Sequence, residues 1–198
     1  LAADPRSWPA MAGLARVDAA EGRLDDAIAR LNAAIAIVPR PELLARRADL
    51  FALRGAAGDD VAEADDRATV EAIASLAGAD AVYDRTLAIY LADHGLEPAR
   101  AVRLARAELS VREDVFGYDA LAWALLADGR PAEAQAAMDR ALAAGTRDPR
   151  LLYHAGMIAA ALDNVPRARE LLEVALRLDP AFDPLQARRA TATLEALP

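Results

Sequence analysis

The sequence predicts an all-α protein assembled from repeated helix pairs, and three observations predict it. Alanine makes up about a quarter of the 198 residues, and all 23 basic residues are arginine. Both favour helix, whereas β-branched residues are sparse and aromatics reach only 5%. A second observation is the pattern Ala-x3-Leu/Met-x2-Ala, found as Ala27-Leu31-Ala34, Ala134-Met138-Ala141 and Ala168-Leu172-Ala175. On a helix the three residues share a face, and the alanines let a neighbouring backbone come close. The third is a period. Pro5 to Pro39, Gly95 to Gly129 and Gly129 to Asp163 are each 34 residues, and Gly22 to Gly55 is 33.

Each alanine pattern follows a turn signal (Gly22, Gly129 or Asp163-Asn164), and Pro39 and Pro180 stop two of the three helices. These signals place first helices over Ser7–Glu21, Pro41–Arg54, Asp80–His94, Asp114–Asp128 and Asp148–Leu162. Second helices follow over Asp25–Val38, Asp60–Ala77, Pro98–Arg112, Pro131–Ala144 and Pro166–Leu178. Prolines 98, 131 and 166 suit a first helical turn, where the missing N–H would have no partner anyway. Only Gly55 to Gly95, at 40 residues, breaks the period. The turn Ala56–Asp60 and a longer following helix absorb the excess. Asp183-Pro184 opens a last helix to about Ala196, whose Gln186, Arg188, Arg189, Thr191 and Thr193 suit a solvent-facing cap. The domain plan is a tail at 1–6, five repeats at 7–40, 41–79, 80–113, 114–147 and 148–182, and a capping helix at 183–198.

A 34-residue helix pair with these signatures resembles the tetratricopeptide repeat (TPR) family. The Leu-Gly core of that family's first helix is matched by Leu14-Ala15, Leu87-Ala88, Leu121-Ala122 and Ala155-Gly156, and Tyr118 stands where the family often has tryptophan. The family's tyrosine site instead holds Asp18, Phe51, Leu91, Leu125 and Ala159. The second repeat lacks the alanine triplet, and the third has only a shifted Ala101-Ala105-Glu108. The resemblance implies a right-handed superhelical α-solenoid of about five repeats. Leu1–Pro5 repeats the pattern of Leu176–Pro180, so the chain is expected to begin inside a repeat, as the C-terminal portion of a longer array. Arginine without lysine beside so much alanine is what a GC-rich bacterial gene encodes.

Composition excludes several functions. Without cysteine there is no disulfide framework, thiolate metal site or thiol nucleophile. A net charge of −8 argues against sequence-independent nucleic-acid binding. No run of about 18 apolar residues is available to span a membrane. His94 reads as a helix C-terminal cation, and His154 as core-packed or groove-facing, without a second metal ligand nearby. The acidic run Asp59–Asp66 lacks the spacing of a calcium loop and reads as a helix start. Ser7, Ser75 and Ser110 lack a nucleophile elbow. No catalytic residue, cofactor or metal is expected, and the compartment is not indicated.

The resemblance also implies a concave face lined by first helices that binds a protein or peptide partner. By repeat register its candidates are Arg16, Asp49, Arg85, Asp119, Trp123, Arg150, Tyr153 and Met157, flanked by Ala12, Ala19, Ala45, Ala52, Ile89, Ala92 and Leu126. Trp123 and Tyr153 have two readings, a shared binding pocket or bulk that fills gaps between alanine-rich helices. The family's carboxylate-clamping subtype is excluded, because lysine is absent and Asn32 and Asn164 fall on a second helix and in a turn. The leading expectation is a non-enzymatic interaction scaffold. Two alternatives stand beside it: a structural spacer or self-assembly segment, and a regulatory domain of a larger enzyme or transporter.

Overall fold

The computed structural model describes residues 6–77 and 84–198, and the regular structure among them is helical throughout. The helices are α1 (Trp8–Ala20), α2 (Leu24–Ile37), α3 (Pro41–Arg54), α4 (Asp59–Ala77), α5 (Asp84–Asp93), α6 (Pro98–Val111), α7 (Val115–Ala127), α8 (Pro131–Leu142), α9 (Pro149–Ala161), α10 (Val165–Leu178) and α11 (Pro184–Ala196). The expected start of the third repeat at Asp80 and the chain's first five residues lie outside the described residues. Two compact units result, one holding α1–α4 and the other α5–α11.

In the first unit α1 packs on α2, α2 on α3 and α3 on α4. Its core gathers Ala12, Ala15, Ala27, Ile28, Leu31, Ala34, Leu43, Leu50 and Phe51. Buried carboxylates complete it. Asp18, where the repeat pattern has a tyrosine, accepts from Arg23 Nε at 3.1 Å and from the guanidinium of Arg30. Asp66 on α4 takes both Nε (2.9 Å) and Nη2 (2.6 Å) of Arg47 on α3. Asp59 takes Nε (2.9 Å) and Nη2 (2.5 Å) of Arg54 together with the amide of Ala56 at 2.8 Å. The third nitrogen of Arg54, Nη1, reaches Asp25 on α2 at 2.6 Å. Two members of the acidic run are therefore turned inward onto arginine forks, whose planar geometry matches a carboxylate.

In the second unit α5/α6, α7/α8 and α9/α10 are helix pairs, α7 packs between α5 and α9, and α11 packs on α9 and α10. The alanine patterns sit at the tightest contacts. Ala134, Met138 and Ala141 are fully buried, as are Ala168, Leu172 and Ala175. Opposite α10, a Cβ added to Gly156 would lie 2.7 Å from Leu172 Cγ, so only glycine permits that approach. Asp114, Asp148 and Asp183 cap α7, α9 and α11 with side-chain oxygens on first-turn amides. The turn before α10 places Asp163 at φ 58°, a left-handed position that the equivalent turns give to glycine.

Two outcomes follow from this packing. Ala134→Leu or Ala168→Leu forces a larger side chain into a filled contact and costs about 1–3 kcal/mol; unchanged thermal unfolding in both variants would show that the alanine face is not the helix contact. Arg23, then Arg30, hold the Asp18 carboxyl below its ordinary range. A lowered carboxyl contributes stability above its unfolded pKa and loses it as pH falls through the folded one. Asp18→Asn therefore lowers the unfolding midpoint of the first unit at pH 7, and the gap from wild type narrows on acidification below about pH 4. A gap independent of pH would remove the ion pairs from the account.

Candidate functional site

The candidate residues of the first-helix faces separate into three groups. Arg16 is exposed on α1 and Asp49 is half-buried on α3, both in the first unit. Arg85 on α5 is used within the scaffold: its Nη2 donates to Glu108 Oε1 at 2.5 Å and to Asp114 Oδ1 at 2.9 Å, tying α5 to α6 and to the cap of α7. The remaining five, Asp119, Trp123, Arg150, Tyr153 and Met157, lie on α7 and α9 on the side reached by the last helix.

That region is built around a carboxylate. Asp93, the last residue of α5, accepts from Trp123 Nε1 at 2.7 Å and from the Gln186 amide of α11. Its backbone carbonyl accepts from Arg189 Nη1 at 2.8 Å. The Trp123 ring is stacked on His154, with centroids 4.2 Å apart and planes 15° from parallel. His154 Nδ1 lies 2.8 Å from Asp119 Oδ1, with both residues buried. Tyr153 stands 5.5 Å from Trp123 and 5.5 Å from Phe182, so four rings run from α7 across α9 to the start of α11. At the edge, Arg150 Nη2 donates to Asp183 Oδ2 at 3.0 Å, and Thr193 Oγ1 reaches Met157 Sδ at 3.5 Å.

Of the two readings of Trp123, the structure gives it an interior position: the ring is 6% exposed and its one polar atom is satisfied. Tyr153 is fully buried, and Phe182 covers the rings from the far side. The physical reason is volume. First helices rich in alanine leave a hollow that large rings must fill. His154 is core-packed, held by Asp119. The last helix also departs from its expected role. Arg188, Arg189 and Thr191 are exposed, Arg189 with its guanidinium on the Asp93 carbonyl, but Gln186 is 2% exposed and points inward. Asp93, Phe182, Asp183 and Gln186 were absent from the sequence candidates. The signal available for them was the Asp183-x2-Gln186 capping pattern beside an isolated Phe182.

Electrostatics sharpen the picture. Burial raises the Asp93 carboxyl above its ordinary range and nearby Asp183 adds to this, against the pull of Arg150 and His154. Burial likewise pushes the Tyr153 hydroxyl up. Burial alone would lower the Arg150 guanidinium, but Asp183, Asp93, Asp119 and Asp148 more than offset it. His154 Nε2 and Gln186 Oε1 are among the buried polar atoms that have no hydrogen-bond partner. Among the described residues, no group of three or more histidine and carboxylate side chains is placed to hold a metal ion.

No protein-family model matches the sequence, and no curated protein matches it either. Among solved structures, one of fifteen matching chains is a tetratricopeptide repeat protein from Parabacteroides merdae ATCC 43184. The match has a TM-score of 0.53 at 15% sequence identity and covers 98% of this chain and 80% of the other. The chain has the tetratricopeptide-repeat fold. Within this TPR fold, the second unit's first helices meet around aromatic rings and a half-buried carboxylate. None of the described helices is long and apolar enough to cross a membrane.

The Asp93 shift makes a prediction with a definite sign. A carboxyl raised in the folded state favours folding only below its unfolded pKa, and that contribution is lost as pH rises through the folded value. Asp93→Asn removes the charge but keeps an acceptor for Trp123. The variant is expected to unfold at a higher midpoint than wild type at pH 7, with the difference shrinking toward about pH 4. A midpoint equal to or below wild type at pH 7 would contradict the assignment.

Proposed function

We propose that the chain is a non-catalytic interaction scaffold that takes a helical segment of a partner protein on the first-helix face of its second unit. The observation that carries this reading is the way α11 lies there. Gln186, Arg189 and Thr193 recur at steps of three and four residues, the stripe by which an amphipathic helix engages a groove, and Phe182 stands just ahead of the helix cap. Each meets a different kind of group: Phe182 meets the Tyr153 ring, Gln186 and Arg189 meet Asp93, and Thr193 meets Met157. The face thus offers an aromatic platform, a half-buried acceptor and a thioether along the length of a short helix. In this reading Asp119 and Trp123 form the floor, Tyr153 the platform, and Arg150 and Met157 the rim. Arg85 supports the scaffold from behind. Arg16 and Asp49 belong to the equivalent face of the first unit and are proposed as a separate contact.

The test uses a labelled synthetic peptide of residues 180–198 and the full chain carrying Gln186→Ala/Arg189→Ala, which loosens the resident helix. Fluorescence anisotropy is expected to report saturable binding of the peptide. Adding Arg150→Glu, which sets like charge against Asp183 of the peptide, is expected to weaken binding by about tenfold or more. Absence of saturable binding to the loosened chain, with its far-UV spectrum unchanged, would overturn the reading.

A further inference from the structure

We infer that α11 is a resident, displaceable occupant of this face, and that the partner segment replacing it carries an aromatic residue just ahead of a helix cap, followed on the helix by a side-chain amide and, three residues later, a guanidinium. The inference rests on the proposed helix-binding role and adds its regulation and the chemistry of its ligand.

Four observations make α11 separable from the fold it covers. Its apolar anchorage is slight: besides Gln186 it buries only Ala187 and Ala190, with Phe182 just ahead of it, whereas α9 buries eight residues including Leu151, Leu152, Tyr153 and Ile158. Stabilisation by burial scales with apolar area, and two alanine side chains supply little of it. The helix is also self-sufficient at its start. Asp183 accepts the amides of Leu185 and Gln186, each at 3.0 Å, and Pro184 occupies the first turn.

The third observation concerns Gln186. It holds the third helical position after Asp183, where a glutamine side chain ordinarily returns to the amide of the capping residue. On the face it instead gives its Nε2 hydrogen to Asp93 and leaves Oε1 buried without a partner. Released, the same side chain can complete its own capping box, so the docked and free helices each satisfy a different part of it. Finally, docking covers a carboxylate. Asp93 gains Gln186 and Arg189 but loses water, and a half-buried, partly compensated charge favours release more than a greasy contact would. Such an element has two states of similar free energy, and a ligand with the same stripe biases them by competing for the same groups.

The stripe defines the competitor. An aromatic ring must reach Tyr153, an amide must donate to the Asp93 carboxylate, and a guanidinium must reach the Asp93 carbonyl while adding positive charge beside it. A glutamate at the amide position would place like charge against Asp93 and be rejected.

Hydrogen exchange and peptide binding, measured on the full chain, test this together. In wild type the amides of α11 are expected to exchange at least about tenfold faster than those of α9. Gln186→Ala/Arg189→Ala should speed α11 by about a further tenfold while α9 keeps its protection. The 180–198 peptide should bind the double variant about tenfold more tightly than wild type, because the resident helix no longer competes. Exchange of α11 and α9 at one common rate, in both proteins, would make α11 an integral cap and overturn the inference. Equal peptide affinity for the two proteins would also overturn it, while leaving the helix-binding role standing. Faster α11 exchange without peptide binding to either protein would remove the helix-binding role, and the inference with it.

Discussion

Small side chains at helix contacts are the constraint from which the rest of this structure descends. Where Ala134, Ala141, Ala168 and Ala175 are fully buried and Gly156 faces Leu172 with no room for a Cβ, helices approach closely. Close approach gains dispersion energy along whole helices, but alanine supplies little bulk elsewhere. In the second unit the remaining space on the first-helix face is filled by Trp123, Tyr153, His154 and Phe182. Rings of that size bring polar atoms with them, and their satisfaction converges on Asp119 and Asp93. The covering of that face by α11 is a consequence of how that space is filled.

The same economy explains the use of arginine. Helices with so little apolar bulk are cross-linked by charge, and a guanidinium can hold two carboxylate oxygens at once. Arg47 on Asp66 and Arg54 on Asp59 each do so through two nitrogens, and Arg54 extends a third to Asp25. An ammonium group has no planar fork with which to make this arrangement. These links join neighbouring helices of one unit, so they fix relative position within a pair as well as adding stability.

Much of the fold was legible in the sequence because it is periodic. The alanine patterns, the prolines at helix starts and the turn residues mark eleven helices, and α3 occupies the range that its flanking Arg40-Pro41 and Gly55 define. Asp163 could be aligned with glycines because the period demanded a left-handed residue there, which φ 58° supplies. The site was less legible. Register arguments brought Asp119, Trp123, Arg150, Tyr153 and Met157 to one region, but register does not state what lies opposite. Gln186 and Arg189 sit among polar neighbours on a terminal helix, so composition gave both to solvent; Arg189 is exposed there, whereas Gln186 is buried. Their destination depends on Asp93, more than ninety residues earlier in the chain. A pairing so distant in sequence leaves no local pattern, and the acceptor at the end of α5 looks like any other helix-terminal aspartate.

The central claim is that Asp93 and Gln186 hold the last helix on the first-helix face of the second unit. A double-mutant cycle with Asp93→Ala, Gln186→Ala and the combined variant measures that link directly, through unfolding free energies at pH 7. The account predicts that the two substitutions are coupled by about 1 kcal/mol or more, as expected for a hydrogen bond to a charged group removed only once. Additivity within about 0.5 kcal/mol would mean that the two side chains do not sense each other, and the tether between α5 and α11 would be lost from the account.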